Sequence, residues 1–154
     1  MKSIYAAVAL GLGTLALGAC SQDAAETEEA AAPLSVTEGR LFLPAVEGNP
    51  AAVYFKLTND SDRAIGVRAA EVEGAGRTEM HDFLDVDESV MSMVDTVTLD
   101  PGETLSFEPR GKHVMAFEVS PDLKPDSKTS VTLTMLGGST MSFDVDVLPA
   151  DAER

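Results

Sequence analysis

Lys112–Val119 reads KHVMAFEV, and its alternation decides how the rest of the chain is read. Side chains along a strand point to opposite faces in turn, so His113 and Met115 share one face while Val114 turns the other way, into a sheet interior. A hydrophobic core has no use for imidazole. The His113/Met115 face therefore calls for a different explanation from the Val114 face.

The pattern extends in both directions. RLFLPAV, AAVYFKLTND, AIGVRAAEVE, RTEMHDFL, VMSMVDTVTL, ETLSFEP, KTSVTLTM and MSFDVDVL are short apolar runs of strand length, several of them alternating. Turn formers separate them: Glu47-Gly48-Asn49-Pro50, Asn59-Asp60-Ser61-Asp62, Gly74-Ala75-Gly76, Asp100-Pro101-Gly102, Pro109-Arg110-Gly111, Pro121-Asp122 and Gly137-Gly138. No segment carries a helix-length amphipathic period. Regular turns between seven to nine short strands predict an all-β, antiparallel sandwich of the Greek-key kind, occupying residues 34–150 with a short tail at 151–154.

The first 33 residues read differently. Residues 1–19, MKSIYAAVALGLGTLALGA, have a basic start at Lys2 and an apolar run too short to span a bilayer comfortably, the layout of a secretion signal. Leu17-Gly18-Ala19-Cys20 resembles a lipobox, the processing signal of bacterial lipoproteins. That resemblance implies cleavage before Cys20 and lipidation of its sulfur, where each buried methylene contributes about 0.8 kcal/mol of membrane affinity. Residues 20–33 add to Cys20 the stretch SQDAAETEEAAAP (21–33), acidic and Ala-rich with few core formers, which reads as a flexible tether spanning roughly 20 Å. The expected location is the bacterial cell envelope, lipid-anchored and facing the periplasm. With Cys20 the sole cysteine, the domain has no thiol for a disulfide or a nucleophile.

The 154-residue chain holds 26 Asp and Glu against 11 Lys and Arg, a net charge of −15. With no basic patch, nucleic acid is excluded as a partner; the acidic surface serves solubility or raises local cation concentration. No G-x-S-x-G, P-loop or zinc-protease pattern is present, and the chain reads as a binding protein rather than an enzyme.

Both histidines travel with methionine: His81 in TEMHDF, His113 in KHVMAF, with VMSMV supplying Met91 and Met93 between them. Met91 and Met93 share a face, whereas Met80 and His81 point apart and Met80 belongs to the core. Met135 and Met141 are most simply core fillers. Thioether sulfur is soft, a poor ligand for zinc, calcium or magnesium and a good one for Cu(I). Two His and two Met drawn from three strands would make a copper site, Cu(I) by preference and Cu(II) as the alternative. Spacing alone does not bring them together.

Thr78–Phe117, with PAVEGNPAAVYFKLTND upstream, resembles the PCu(A)C family of periplasmic copper chaperones, whose motif is H-(x)10-M-(x)21-H-x-M. The resemblance implies a cupredoxin-like β-sandwich and a ligand set of His81, Met93, His113 and Met115, with Met91 as the alternative to Met93. It also implies a copper-acceptor protein: the CuA subunit of cytochrome c oxidase, or a Sco-type protein. The spacings depart from the motif: eleven residues separate His81 from Met93 and nineteen separate Met93 from His113. An insertion in FLDVDES and a shortened turn near LDPGE would account for both. Asp82, Asp85, Asp87 and Glu88 are expected in the loop after His81, and the copper site itself at the surface. The competing reading is a lipoprotein β-sandwich scaffold or binding module whose methionines only pack; a copper enzyme is disfavoured by the absence of a domain cysteine and the presence of only two histidines.

Overall fold

A computed structural model describes residues 33–84 and 87–153. The expected signal peptide, Cys20 and the expected tether up to residue 32 lie outside the described residues, as does Asp85. Ten strands follow in chain order: β1 (Leu34–Phe42), β2 (Ala51–Asn59), β3 (Ile65–Val72), β4 (Ala75–Leu84), β5 (Asp87–Met93), β6 (Val97–Leu99), β7 (Thr104–Phe107), β8 (His113–Val119), β9 (Lys128–Met135) and β10 (Thr140–Leu148). No helix occurs among the described residues.

The hydrogen-bonded path runs β5-β4-β8-β2-β1-β10-β9-β3-β6, with β7 beside the second half of β2. The path doubles over, and its two halves contribute to one core. Val53, Leu57, Met80, Val114 and Ala116 come from the first half and Val67, Val72, Val131, Leu133 and Val145 from the second, all buried in a single apolar cluster. Aromatic packing reports the same facing of layers: Phe55 of β2 stacks on Phe107 of β7 at 4.3 Å and meets Phe143 of β10 edge-on at 5.2 Å.

Two features differ from the sequence expectation. The run VMSMVDTVTL is two strands, because after β5 the Val94 N–H donates back to the Met80 carbonyl and the chain then crosses to the other layer, where β6 pairs with β3. The sandwich is also not wholly antiparallel: Arg40–Phe42 of β1 pair in parallel with Asp146–Leu148 of β10 while the same strand pairs antiparallel with β2. A bulge between Thr37 and Arg40, with Glu38 at φ 57°, turns β1 toward this second partner. Gly39 permits the approach, since a Cβ there would meet Val145 Cγ1 at 2.8 Å.

Asn59, fully buried at the end of β2, holds the adjoining turns. Its side-chain amide donates to the carbonyls of Arg63, Leu99 and Asp100 at 2.8–3.1 Å. Its Oδ1 accepts from the backbone N–H and hydroxyl of Ser61. The expected Asp100-Pro101-Gly102 break is a tight turn, closed by the Glu103 N–H donating to the Asp100 carbonyl with Gly102 at φ 74°.

Candidate metal centre

β8 carries the alternation through into packing. Val114 and Ala116 are wholly buried in the core, whereas Met115 and Phe117 are partly exposed on the outer face. His113 shares that outer face by strand phase, yet is only 5% exposed. Its ring is covered by those of Tyr54 at 6.4 Å, Phe83 at 5.9 Å and His81 at 5.9 Å.

The ladder register brings the candidate residues together. His81 of β4 is the direct antiparallel partner of His113 on β8 and of Met93 on β5. Met93, His81 and His113 thus form one row across three adjacent strands, and directly paired residues project to the same face. Met115 sits two pairs further along β8, on the same face, opposite Glu79. Met91 lies across from Phe83, two residues further from Met115, a displacement of about 7 Å along the strand. Met80 points the other way and is buried in the core, as expected.

The spacing anomaly has a structural counterpart. Phe83 pairs with Met91, but the next β4 residue, Leu84, pairs with Asp87. The extra residues of β5 are taken up in this irregularity, so Met93 still arrives opposite His81.

Burial within the site is graded. Met93 is 60% exposed and Met91 48%, while the His81 side chain is 16% exposed. The expected surface site is therefore a surface only on its methionine side, with the imidazoles set into the sheet face. A cleft of about 730 Å³ between β3 and β4 is also lined by Met93, together with Arg68, Glu71, Arg77, Glu79 and Met80; neither histidine lines it.

Each ring has one committed nitrogen. His113 Nδ1 is 2.8 Å from the Gly111 carbonyl oxygen. A carbonyl only accepts, so Nδ1 carries the proton and Nε2 keeps its lone pair. His81 Nε2 lies 2.9 Å from Glu79 Oε2, and its Nδ1 is buried without a hydrogen-bond partner. Burial, and secondarily the nearby Arg77, push the His81 imidazole below its usual value. Its contact with Glu79 is accordingly a hydrogen bond from a neutral ring.

Two imidazoles sharing one ion through bonds of about 2.0 Å have ring centroids roughly 5–6 Å apart, a range that includes the observed His81–His113 separation of 5.9 Å. Among the described residues no group of three or more His, Cys, Asp or Glu converges. A metal at this place would take its further donors from thioethers, which select soft ions.

Among the described residues, Asp82, Asp87 and Glu88 do not form the expected loop. Asp82 belongs to β4, where its carboxylate pairs with Lys112 Nζ at 2.7 Å, and Asp87 and Glu88 belong to β5. Sequence reading also missed Glu79, Phe83 and Tyr54. The signal for Glu79 was available, because a residue two before His81 on a strand shares its face.

Solved structures share this fold, three of them as follows. The apo PmoF2 PCuAC domain superposes with a TM-score of 0.66 at 18% identity, covering 80% of this chain and 95% of that one. A copper-bound PCuAC domain from PmoF2 gives 0.64 at 18% identity, covering 77% and 94%. CuI-DR1885 from Deinococcus radiodurans gives 0.62 at 24% identity, covering 87% and 89%. The domain is thus a cupredoxin-like β-sandwich, the fold it shares with these PCuAC domains. The chain belongs to the LpqE-like family, a family described as lipoprotein, which it matches over residues 34–147. No curated protein matches the chain.

Proposed function

We propose that this protein is a lipid-anchored, periplasm-facing copper chaperone that carries Cu(I) on His81, His113, Met93 and Met115 and delivers it by ligand exchange. The observation that carries the reading is the row Met93–His81–His113 in direct register across β5, β4 and β8, with Met115 beside it. The copper-bound state of fold relatives such as CuI-DR1885 and PmoF2 supports the same cargo.

The chemistry follows from the donors. Four neutral ligands hold Cu(I) without the charge attraction of thiolates, so the ion is retained yet exchangeable. Met93 is the most exposed of the four, and an incoming donor from an acceptor reaches copper from that side first. His113, deepest under Tyr54 and Phe83, is released last. Copper keeps its oxidation state and only its ligands change. The resemblance to PCu(A)C proteins points to the CuA subunit of cytochrome c oxidase or a Sco-type protein as acceptor, and Cys20 to the anchor.

The reading is tested by anaerobic Cu(I) titration followed by X-ray absorption. One equivalent of copper with mixed sulfur and nitrogen scattering is expected; a protein that takes up no Cu(I) refutes it and leaves the scaffold reading. Register separates the two methionines. Met93→Leu is expected to weaken Cu(I) binding by roughly 10- to 100-fold, and Met91→Leu to leave it within about threefold. Equal effects would remove Met93 from the ligand set.

Protons compete with copper for imidazole. Affinity should be constant above about pH 7 and decline below the ordinary histidine value of about 6.5. His81, held below that value, joins the decline at lower pH. The same depressed value has a stability consequence in the apo protein: the contribution is present above pH 6.5 and is lost as pH falls, because the unfolded chain takes the proton first. A Cu(I) affinity unchanged between pH 7 and 5 would show that His81 and His113 are not both ligands.

A further inference from the structure

We infer that Glu79 is a positioning residue for this site: it holds His81 in the Nε2–H tautomer, so that Nδ1 is the nitrogen offered to copper while His113 offers Nε2. The inference rests on the copper reading above for its ligand but on separate geometry for its mechanism.

Glu79 and His81 lie two residues apart on the outer face of β4, and Oε2 is 2.9 Å from Nε2. The other carboxylate oxygen, Oε1, accepts from the Arg77 guanidinium, and that guanidinium lies over the Phe117 ring at 3.9 Å. Phe117, Arg77 and Glu79 therefore form a braced line ending at the imidazole. A carboxylate engaged by arginine is an acceptor on both oxygens, so the proton between Glu79 and His81 resides on Nε2.

A half-turn of the His81 ring would replace Nε2 by carbon and forfeit this bond. Tautomer and ring orientation are thus fixed together. What remains is Nδ1, buried and without a hydrogen-bond partner, on the ring that faces His113 at 5.9 Å. A buried ring nitrogen left unpaired is costly in an apo fold, and a metal bond is the partner its lone pair suits. On the other strand the Gly111 carbonyl does for His113 what Glu79 does for His81, with the opposite nitrogen. The two imidazoles enter the site by different atoms because their supports come from different directions. Met115, the cross-strand partner of Glu79, brings a thioether donor to the same pair.

The test uses proton–nitrogen correlation spectra of the ¹⁵N-histidine-labelled apo protein alongside Cu(I) titration. Wild-type His81 is expected as the Nε2–H tautomer. Glu79→Ala should convert it to a mixture and weaken Cu(I) binding by roughly 10- to 100-fold. Glu79→Gln, whose amide oxygen still accepts, should restore the tautomer and bring affinity to within a few-fold of wild type. A wild-type Nδ1–H tautomer overturns the inference whatever the copper result. So does a Glu79→Ala protein with unchanged tautomer and affinity. If the tautomer responds as expected but the wild-type protein takes up no Cu(I), the functional reading fails while the positioning role of Glu79 stands.

Discussion

The double substitution His113→Ala, Met115→Ala is expected to lower Cu(I) affinity by at least roughly three orders of magnitude, since even residues outside the ligand shell of a metal site are each worth 10- to 100-fold. The fold should survive, because the alternate residues Val114 and Ala116 make the core contacts of β8 and are untouched. The loss is not silent for stability: His113 is buried against Tyr54 and Phe83 and bonds the Gly111 carbonyl. Removing it should cost about 1–3 kcal/mol, within the reserve of a domain this size. Competition with a chelator of known Cu(I) affinity measures the first effect and far-ultraviolet circular dichroism with thermal melting the second. Wild-type affinity in a folded double variant would eliminate β8 as a ligand strand.

The largest stability effect outside the site is expected at Asn59. Replacing it by alanine strips a donor from the carbonyls of Arg63, Leu99 and Asp100 together and an acceptor from Ser61. Unmade hydrogen bonds cost about 1–3 kcal/mol each when buried. Because only the Leu99 contact is fully enclosed and water can reach the others, the net loss should be about 2–4 kcal/mol. Asn59→Asp should be at least as harmful, since a carboxylate cannot donate to any of the three carbonyls. Urea unfolding would show the midpoint falling with little change in slope. A loss below 1 kcal/mol would mean that the Asp100–Glu103 turn holds without its buried amide.

The sandwich and half of the candidate site could be read from local alternation. KHVMAFEV declared its two faces because strand phase is a property of the chain itself, and the burial of Val114 against the outer placement of Met115 follows from it. Register is not local. That His81 stands opposite both His113 and Met93 depends on how β4 meets its two neighbours and on the irregularity after Phe83. Residue counts between motif positions could not report it, because the irregularity absorbs the discrepancy. The parallel meeting of β1 and β10 was likewise illegible, being a contact between the ends of the domain made possible by the bulge at Glu38 and Gly39. Asp82 was misread for a simpler reason. Acidic residues next to a turn look like a solvated loop until a partner such as Lys112 is supplied from another strand.

That meeting of β1 with β10 bears on how the polypeptide can be shortened. Chain ends are ordinarily the parts of a domain that tolerate trimming. Here the last strand lies between β1 and β9 in the middle of the hydrogen-bonded path, so loss of Thr140–Leu148 would cut the sheet in two rather than narrow its margin. β1 must wait for β10 before it has both neighbours. Such pairing between strands far apart in sequence defers assembly of the sandwich until β10 has been made.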